Sequence, residues 1–252
     1  MSGLRVEREG PVLRLTLARP ERRNAFDAAL IVELTEAFTD VGDARAVVLA
    51  GDGDAFCAGA DVEWQRASID LSHEENVEDA LRLYRMLVAI DGCPAPVVAR
   101  IQGYCLGGGC GLAACCDIPI AGDDAVFGFS EVKLGIVAGV ISPFVLGKIG
   151  SGAARRYFLT GERFSPEVAL RIGLLSEVAS TLDGSVERVV DELLTSGPEA
   201  VREAKRLIRP EPGDGKELAQ LAARMRTGEE GQEGLHAFLD KREASWRSAS
   251  SS

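Results

Sequence analysis

Hydrophobic and polar positions change their period several times along this chain, and each change marks an element. Leu4 and Val6, followed by Val12, Leu13, Leu15 and Leu17, alternate on either side of Glu9-Gly10-Pro11, which predicts a β-hairpin. Asp27 then precedes AALIVELTEAFTDV, where apolar residues recur at three and four, the period of a helix face. Ala46 to Ala50 form a short apolar run, predicted as a buried strand that ends at the loop GDGDAFCAGADV. A second amphipathic helix is predicted from about Glu74 to Ile90, and a strand from Pro96 to Ile101. Two further short strands are expected at Asp117–Ala121 and Ala125–Gly128. From about residue 141 the pattern is helical almost to the end, punctuated by Gly150, Gly161, Gly173 and Gly197-Pro198. Strands interleaved with helices and then a helical third indicate an α/β core with a C-terminal helical part. The SASSS tail has the composition of a disordered end.

A chain of 252 residues can bury roughly 70–75% of its unfolded surface, so it needs neither metal nor disulfide to hold a core. One domain with a small appendage is expected. The net charge of −11 opposes sequence-independent binding to nucleic acid or to an anionic membrane. The N-terminal MSGLRVEREGPVLRLTL carries charges where a signal peptide needs apolar residues, and no apolar run approaches ~18–20 residues, so a cytoplasmic protein is expected. Cys57, Cys93, Cys105, Cys110, Cys115 and Cys116 lie in apolar segments without a CxxC pair and are expected to be buried, reduced thiols.

Candidate chemistry narrows by residue type. The only histidines, His73 and His236, stand among residues of solvated helices, which leaves Ser-His-Asp and Cys-His mechanisms without a base. HExxH is absent, and thiols at 105, 110 and 115 do not have a common zinc spacing. The glycine-dense GYCLGGGCGLAACCDI at 103–118 lacks the lysine of a phosphate-binding P-loop and comes too late for a dinucleotide fingerprint. Either its glycines serve close helix packing, or they bring a ligand to the free N–H groups of a helix beginning near Gly108. AFCAGADV at 55–62 also follows a strand and precedes a helix, so it can supply a second N–H donor to the same carbonyl oxygen, as in an oxyanion hole.

These two loops, with RPERRNAFD at 19–27, FGFSEVKLGIV at 127–137, FLTGERFSPEVALRIGLLSEV at 158–178 and EGLHAFLDKR at 233–242, resemble the enoyl-CoA hydratase/isomerase (crotonase) family. The resemblance implies a spiral of ββα units over residues 1–195 and a helical region over 196–252 that mediates trimers, often paired into hexamers. It implies acyl-CoA thioesters as substrates, with coenzyme A entering as part of the substrate and no metal or redox cofactor. By motif, the two oxyanion donors are the amides of Ala60 and Gly108, and Glu131 carries the proton. Arg22, Arg23, Asn24 and Ala25, with Ala58 of CAGAD, match the CoA-lining segments. Phe238 and Lys241 match a C-terminal pair that reaches the CoA of a neighbouring subunit.

Gly111 departs from the family's two-glutamate hydratases, which carry Glu immediately after GGGC. One carboxylate at Glu131 is the pattern of the double-bond isomerases, whereas SEVKLGIVAGVISPFVLGKIG resembles bacterial hydratases of branched or carboxylated enoyl-CoAs, such as 3-methylglutaconyl-CoA. Glycine at 111 is expected to leave room and neutrality for an acyl carboxylate. Hydratase, isomerase and an inactive acyl-CoA-binding relative are therefore the readings in play. Among the other charged positions, Asp61 is expected to cap its loop, Asp117 to satisfy a turn, and Arg155 and Arg156 to serve packing and ion pairs. Glu63 and Trp64 are candidates for the acyl pocket.

Overall fold

The alternating start forms β1 (Leu4–Glu9) and β2 (Val12–Leu17), an antiparallel pair in the computed structural model, which describes residues 2–208 and 215–248. Helix α1 (Ala28–Thr39) follows. The Asp27 carboxylate caps it by accepting from the Leu30 N–H at 3.0 Å, and Leu30, Ile31, Leu34 and Phe38 face the core.

The chain then repeats one step: a strand in a large sheet, a strand in a small sheet, then helix. The first step is β3 (Ala46–Gly51), β4 (Ala55–Cys57), α2 (Val62–Ala67) and α3 (His73–Asp91). The second is β5 (Val97–Ile101), β6 (Tyr104–Leu106) and α4 (Gly108–Cys115). The third is β7 (Ile118–Gly122), β8 (Val126–Gly128), a 3-10 turn at Ser130–Leu134 and α5 (Ser142–Thr160). Then come β9 (Arg163–Phe164), α6 (Pro166–Arg171), β10 (Glu177–Ala179) and α7 (Leu182–Thr195). The large sheet has the order β1-β2-β3-β5-β7-β10 and the small one β4-β6-β8-β9. Pairing is parallel except for β1 with β2 and β8 with β9. This is the expected spiral of ββα turns.

The inner strands β3, β5 and β7 of the large sheet are buried on both faces, which is why they read as apolar runs, whereas the edge strand β1 is exposed along most of its length. Val47, Leu49, Val97 and Ala99 point into the main core, while Val48, Val98 and Ile120 meet Val186 and Val190 of α7 on the other face.

The remaining described chain is helical: α8 (Pro198–Leu207), α9 (Gly215–Thr227), α10 (Glu229–Asp240) and α11 (Ser245–Ser248). The helical run expected from residue 141 is broken by β9 and β10, strands of two and three residues that complete the two sheets and are too short to show a period. Asp117 does more than satisfy a turn. Its carboxylate accepts from the Val97 N–H at 2.7 Å and pairs with Lys205 at 2.7 Å, tying α8 to the start of β5. The tail from residue 249 lies outside the described residues. No helix among those described is long and apolar enough to cross a membrane.

Candidate active site

Parallel strands β4 and β6 deliver their following loops to one place. Gly59 adopts φ +92°, and a Cβ there would lie 2.9 Å from the Leu106 carbonyl oxygen and 3.4 Å from the Gly108 nitrogen, so the loops touch backbone to backbone. Gly107, at φ +52°, turns the chain from β6 into α4 through a region that side chains disfavour. Helix α4 starts at Gly108, as the sequence predicts.

Phe26 and Ala60 form a parallel bridge. The Phe26 N–H donates to the Gly59 carbonyl at 2.9 Å and the Asp61 N–H donates to the Phe26 carbonyl at 2.9 Å. One residue earlier, the Ala58 N–H donates to the Arg23 carbonyl at 3.0 Å. Ala60 is thus held on both sides. Its own N–H, like that of Gly108 at the first turn of α4, has no acceptor among the described residues.

Glu131, in the 3-10 turn after β8, faces these amides. Its Oε1 lies 3.1 Å from where a Cβ on Gly107 would stand, and its Oε2 is buried without a hydrogen-bond partner among the described residues. Burial raises its pKa above the ordinary glutamate value, against a smaller lowering by its own backbone N–H. Ala58, Ala60, Gly108 and Glu131 line a cavity of about 310 Å³. Its walls are Phe26, Leu83, Leu134, Ile136, Val137 and Ile141, with Gln65 and Ser130 as further polar side chains; Glu131 is its only ionisable group among the described residues. A larger cleft of about 470 Å³ lies between α3, α5 and α8, but there Lys205 is engaged by Asp117, and Lys148 donates to the Asp117 carbonyl.

Other expected site residues are placed differently. Gly111 does not line the cavity. A Cβ there would stand 2.5 Å from Ile141 Cγ2, so the room expected for an acyl carboxylate is filled by Ile141. Asn24 is fully buried, and its side-chain amide donates to the carbonyls of Asp52 at 2.8 Å and Ala55 at 2.7 Å; it locks the loop and is closed to a ligand. Ala25 is buried beside it. Arg22 is engaged by Asp61 at 2.8 Å, and the Arg23 guanidinium lies 4.9 Å from the centre of the Tyr104 ring. Phe238 and Lys241 are exposed and do not line the cavity within this chain.

Asp61 caps α2 as expected, accepting from the Glu63 N–H at 2.8 Å. Trp64 does not reach the cavity: it packs edge-on to Phe26 at 6.2 Å and donates to Asp79 at 2.9 Å, while Glu63 is exposed and pairs with Arg66. Arg156 pairs with Glu162, and Arg155 is exposed. All six cysteines are free and buried, and burial pushes the Cys57 thiol up to about 12, which removes it as a nucleophile at neutral pH. Both histidines are exposed. Sequence reasoning missed Ile141 and Gln65, because their approach to this cavity depends on contacts between distant segments.

Amides without a described acceptor at two strand-to-helix turns, lining one cavity with the Glu131 carboxylate in a ββα spiral, agree with an acyl-CoA enzyme of the crotonase kind. The chain belongs to the enoyl-CoA hydratase/isomerase family, whose model matches residues 7–249. An enoyl-CoA hydratase from Shewanella pealeana has a similar structure, with a TM-score of 0.91 and 36% identity, covering 97% of this chain and 96% of that one. Pseudomonas aeruginosa AtuE is similar with a TM-score of 0.93 and 35% identity, covering 97% and 99%. A crotonyl-CoA hydratase from Syntrophomonas wolfei is 31% identical over 253 residues, 96% of each chain.

Proposed function

We propose that this enzyme adds water across the α,β double bond of an enoyl-CoA whose acyl chain is uncharged. The observation that carries this is the Glu131 carboxylate, whose buried Oε2 has no hydrogen-bond partner among the described residues, lining one cavity with the Ala60 and Gly108 amides that lack an acceptor there. The thioester oxygen accepts from both amides, and the N-terminal dipole of α4 favours the charge it develops. Glu131 takes a proton from water as the water oxygen bonds to the β carbon, and the π electrons pass through the α carbon to the thioester oxygen. The resulting carboxylic acid then gives its proton to the α carbon as the enolate collapses. Glu131 ends ionised again, and one H and one OH have been added. Coenzyme A enters as the thioester part of the substrate, and this chemistry calls for no metal or redox cofactor.

The acyl preference follows from the lining. A carboxylated chain such as that of 3-methylglutaconyl-CoA would bring a second negative charge near Glu131, with no Lys, Arg or His among the described lining residues to meet it. A second reading, double-bond isomerisation, is favoured by Glu131 being the only ionisable group among the described residues that line the cavity. One carboxylate suffices to move a proton from the α to the γ carbon. We further infer a cytoplasmic homotrimer or dimer of trimers, supported by the exposed apolar side chains of Leu235, Phe238 and Leu239 on α10.

Incubation with linear, branched and carboxylated enoyl-CoAs, read by mass and retention, tests these readings. A gain of one water on the uncharged chains supports hydration. Unchanged mass with altered retention replaces it by isomerisation, and no turnover across the panel leaves an acyl-CoA-binding relative.

A further inference from the structure

We propose that Arg19 is a positioning residue that sets the Ala60 amide against Gly108; the inference rests on the oxyanion role proposed above for those two amides. Arg19 Nη1 lies 2.8 Å from Asp27 Oδ2 and donates to the Ala25 carbonyl at 3.1 Å, while Nη2 lies 3.2 Å from Asp61 Oδ2. Both carboxylates are helix caps. Asp27 Oδ1 accepts from the Leu30 N–H of α1, and Asp61 Oδ1 accepts from the Glu63 and Trp64 N–H groups of α2. Each aspartate therefore gives one oxygen to its own helix and the other to the same guanidinium.

The residues immediately before these caps are Phe26 and Ala60, the bridged pair. Phe26 is also the side chain against which Gly108 packs: a Cβ on Gly108 would stand 2.2 Å from Phe26 Cζ. Fixing the two caps thus fixes Ala60 relative to Phe26, and through Phe26 relative to Gly108. Arg19 is largely buried, with its side chain 14% exposed, and its planar fork suits two acceptors at a set separation. Arg22 also pairs with Asp61 but is 46% exposed and has no bond to Asp27, so it does not brace the pair. A lysine at 19 offers a point charge and cannot reproduce the fork.

The test compares Arg19→Met and Arg19→Lys with wild type in three readouts: thermal unfolding, kcat and KM on the best enoyl-CoA, and the C=O stretch of a carbonyl-labelled thioester bound at saturation. In the wild type the stretch is expected to fall on binding, because two donors polarise the carbonyl. Both Arg19 variants are expected to bind thioester within about threefold of wild type, to lose most of that shift and to lose at least ~10-fold in kcat, since misplacement by about 1 Å can cost as much as ~10²-fold. Arg14→Met is the control. Arg14 bridges Glu9 and Glu187 away from the cavity, so its loss should touch Tm and neither of the other readouts. Should Arg19→Met fail to fold, Arg19→Lys decides. A folded Arg19 variant with the full carbonyl shift and wild-type kcat overturns the inference while leaving the oxyanion role intact. A wild-type protein without any shift overturns both.

Discussion

Ile141 stands where a side chain at Gly111 would have to go: its Cγ2 is 2.5 Å and its Cβ 3.0 Å from the position of a Cβ on that glycine, and Leu87 closes the space behind at 3.8 Å. The departure from two-glutamate hydratases at 111 is therefore coupled to a residue thirty positions on. Gly111→Glu alone is expected to destabilise the protein by about 1–3 kcal/mol through overpacking, without giving the cavity a second carboxylate. Gly111→Glu with Ile141→Ala should recover stability in urea unfolding and raise hydration of a short linear enoyl-CoA above that of Ile141→Ala alone. Tolerance of the single variant without loss of stability would mean that the 111–141 contact is loose.

Glu131→Gln is expected to keep the fold and reduce turnover by roughly 10²–10⁴-fold, the contribution typical of a general acid–base group. Because burial raises the Glu131 pKa in the folded chain, the acid limb of kcat/KM should lie above the ordinary glutamate value of about 4.3. The stability linkage has the same sign: this group's contribution is fully present below its unfolded pKa and is lost as pH rises through the raised folded value. Urea unfolding of wild type and Glu131→Gln across that window should therefore converge at low pH, with the wild type losing ground as Glu131 ionises. A variant with more than about a third of wild-type activity would remove Glu131 as the sole proton carrier.

Local features were legible in the sequence because their partners lie a few residues away. Asp61 and the Gly107–Gly108 turn carry their structural roles within one or two turns of chain, and Glu131 stood out through its motif. Features set by contacts across the spiral were not legible. Asn24 looks like a ligand residue in RPERRNAFD, but its amide is consumed by carbonyls of the β3–β4 connection and of β4. Trp64 sits in a segment that borders the cavity, yet its ring turns toward Phe26 and Asp79. The strands β4, β6 and β9 have two or three residues each and exist only as parts of the small sheet, whereas β8, equally short, was legible in the apolar run Ala125–Gly128.

Asp61 is buried, and desolvation alone would raise its pKa; the Arg22 hydrogen bond and the Glu63 and Trp64 amides outweigh it and hold the carboxyl below the usual aspartate range. Its contribution to stability is present above the unfolded value of about 3.9 and is lost as pH falls through the depressed folded one. Asp61→Ala should cost about 1 kcal/mol for the α2 cap and more for stranding Arg19 and Arg22. Asp61→Asn, which keeps an acceptor for the cap, should cost less. In urea titrations the gap between wild type and Asp61→Asn should narrow toward pH 3; a gap independent of pH would mean that the carboxylate's charge contributes nothing.

Phe238 is 80% exposed and Leu239 71% exposed at the end of α10, beside Lys241, and neither Phe238 nor Lys241 lines the cavity of its own chain. If this corner completes the CoA site of a neighbour, a Lys241→Ala protomer keeps a working Glu131 and lacks only what its neighbour supplies. A Glu131→Gln protomer has the opposite defect. In a ring of heterologous contacts assembled from a 1:1 mixture, a site is intact when its own protomer carries Lys241→Ala and the contributing neighbour carries Glu131→Gln, which happens for about a quarter of sites. Subunit exchange between the two weak variants should therefore raise specific activity toward about a quarter of the wild-type value at low substrate. The recovery should be greatest at low ionic strength, where the Debye length exceeds about 10 Å and a lysine acts most strongly on a CoA phosphate. Mixed oligomers, verified by mass, that stay at the mean of the two parents would show that each cavity binds CoA with residues of its own chain.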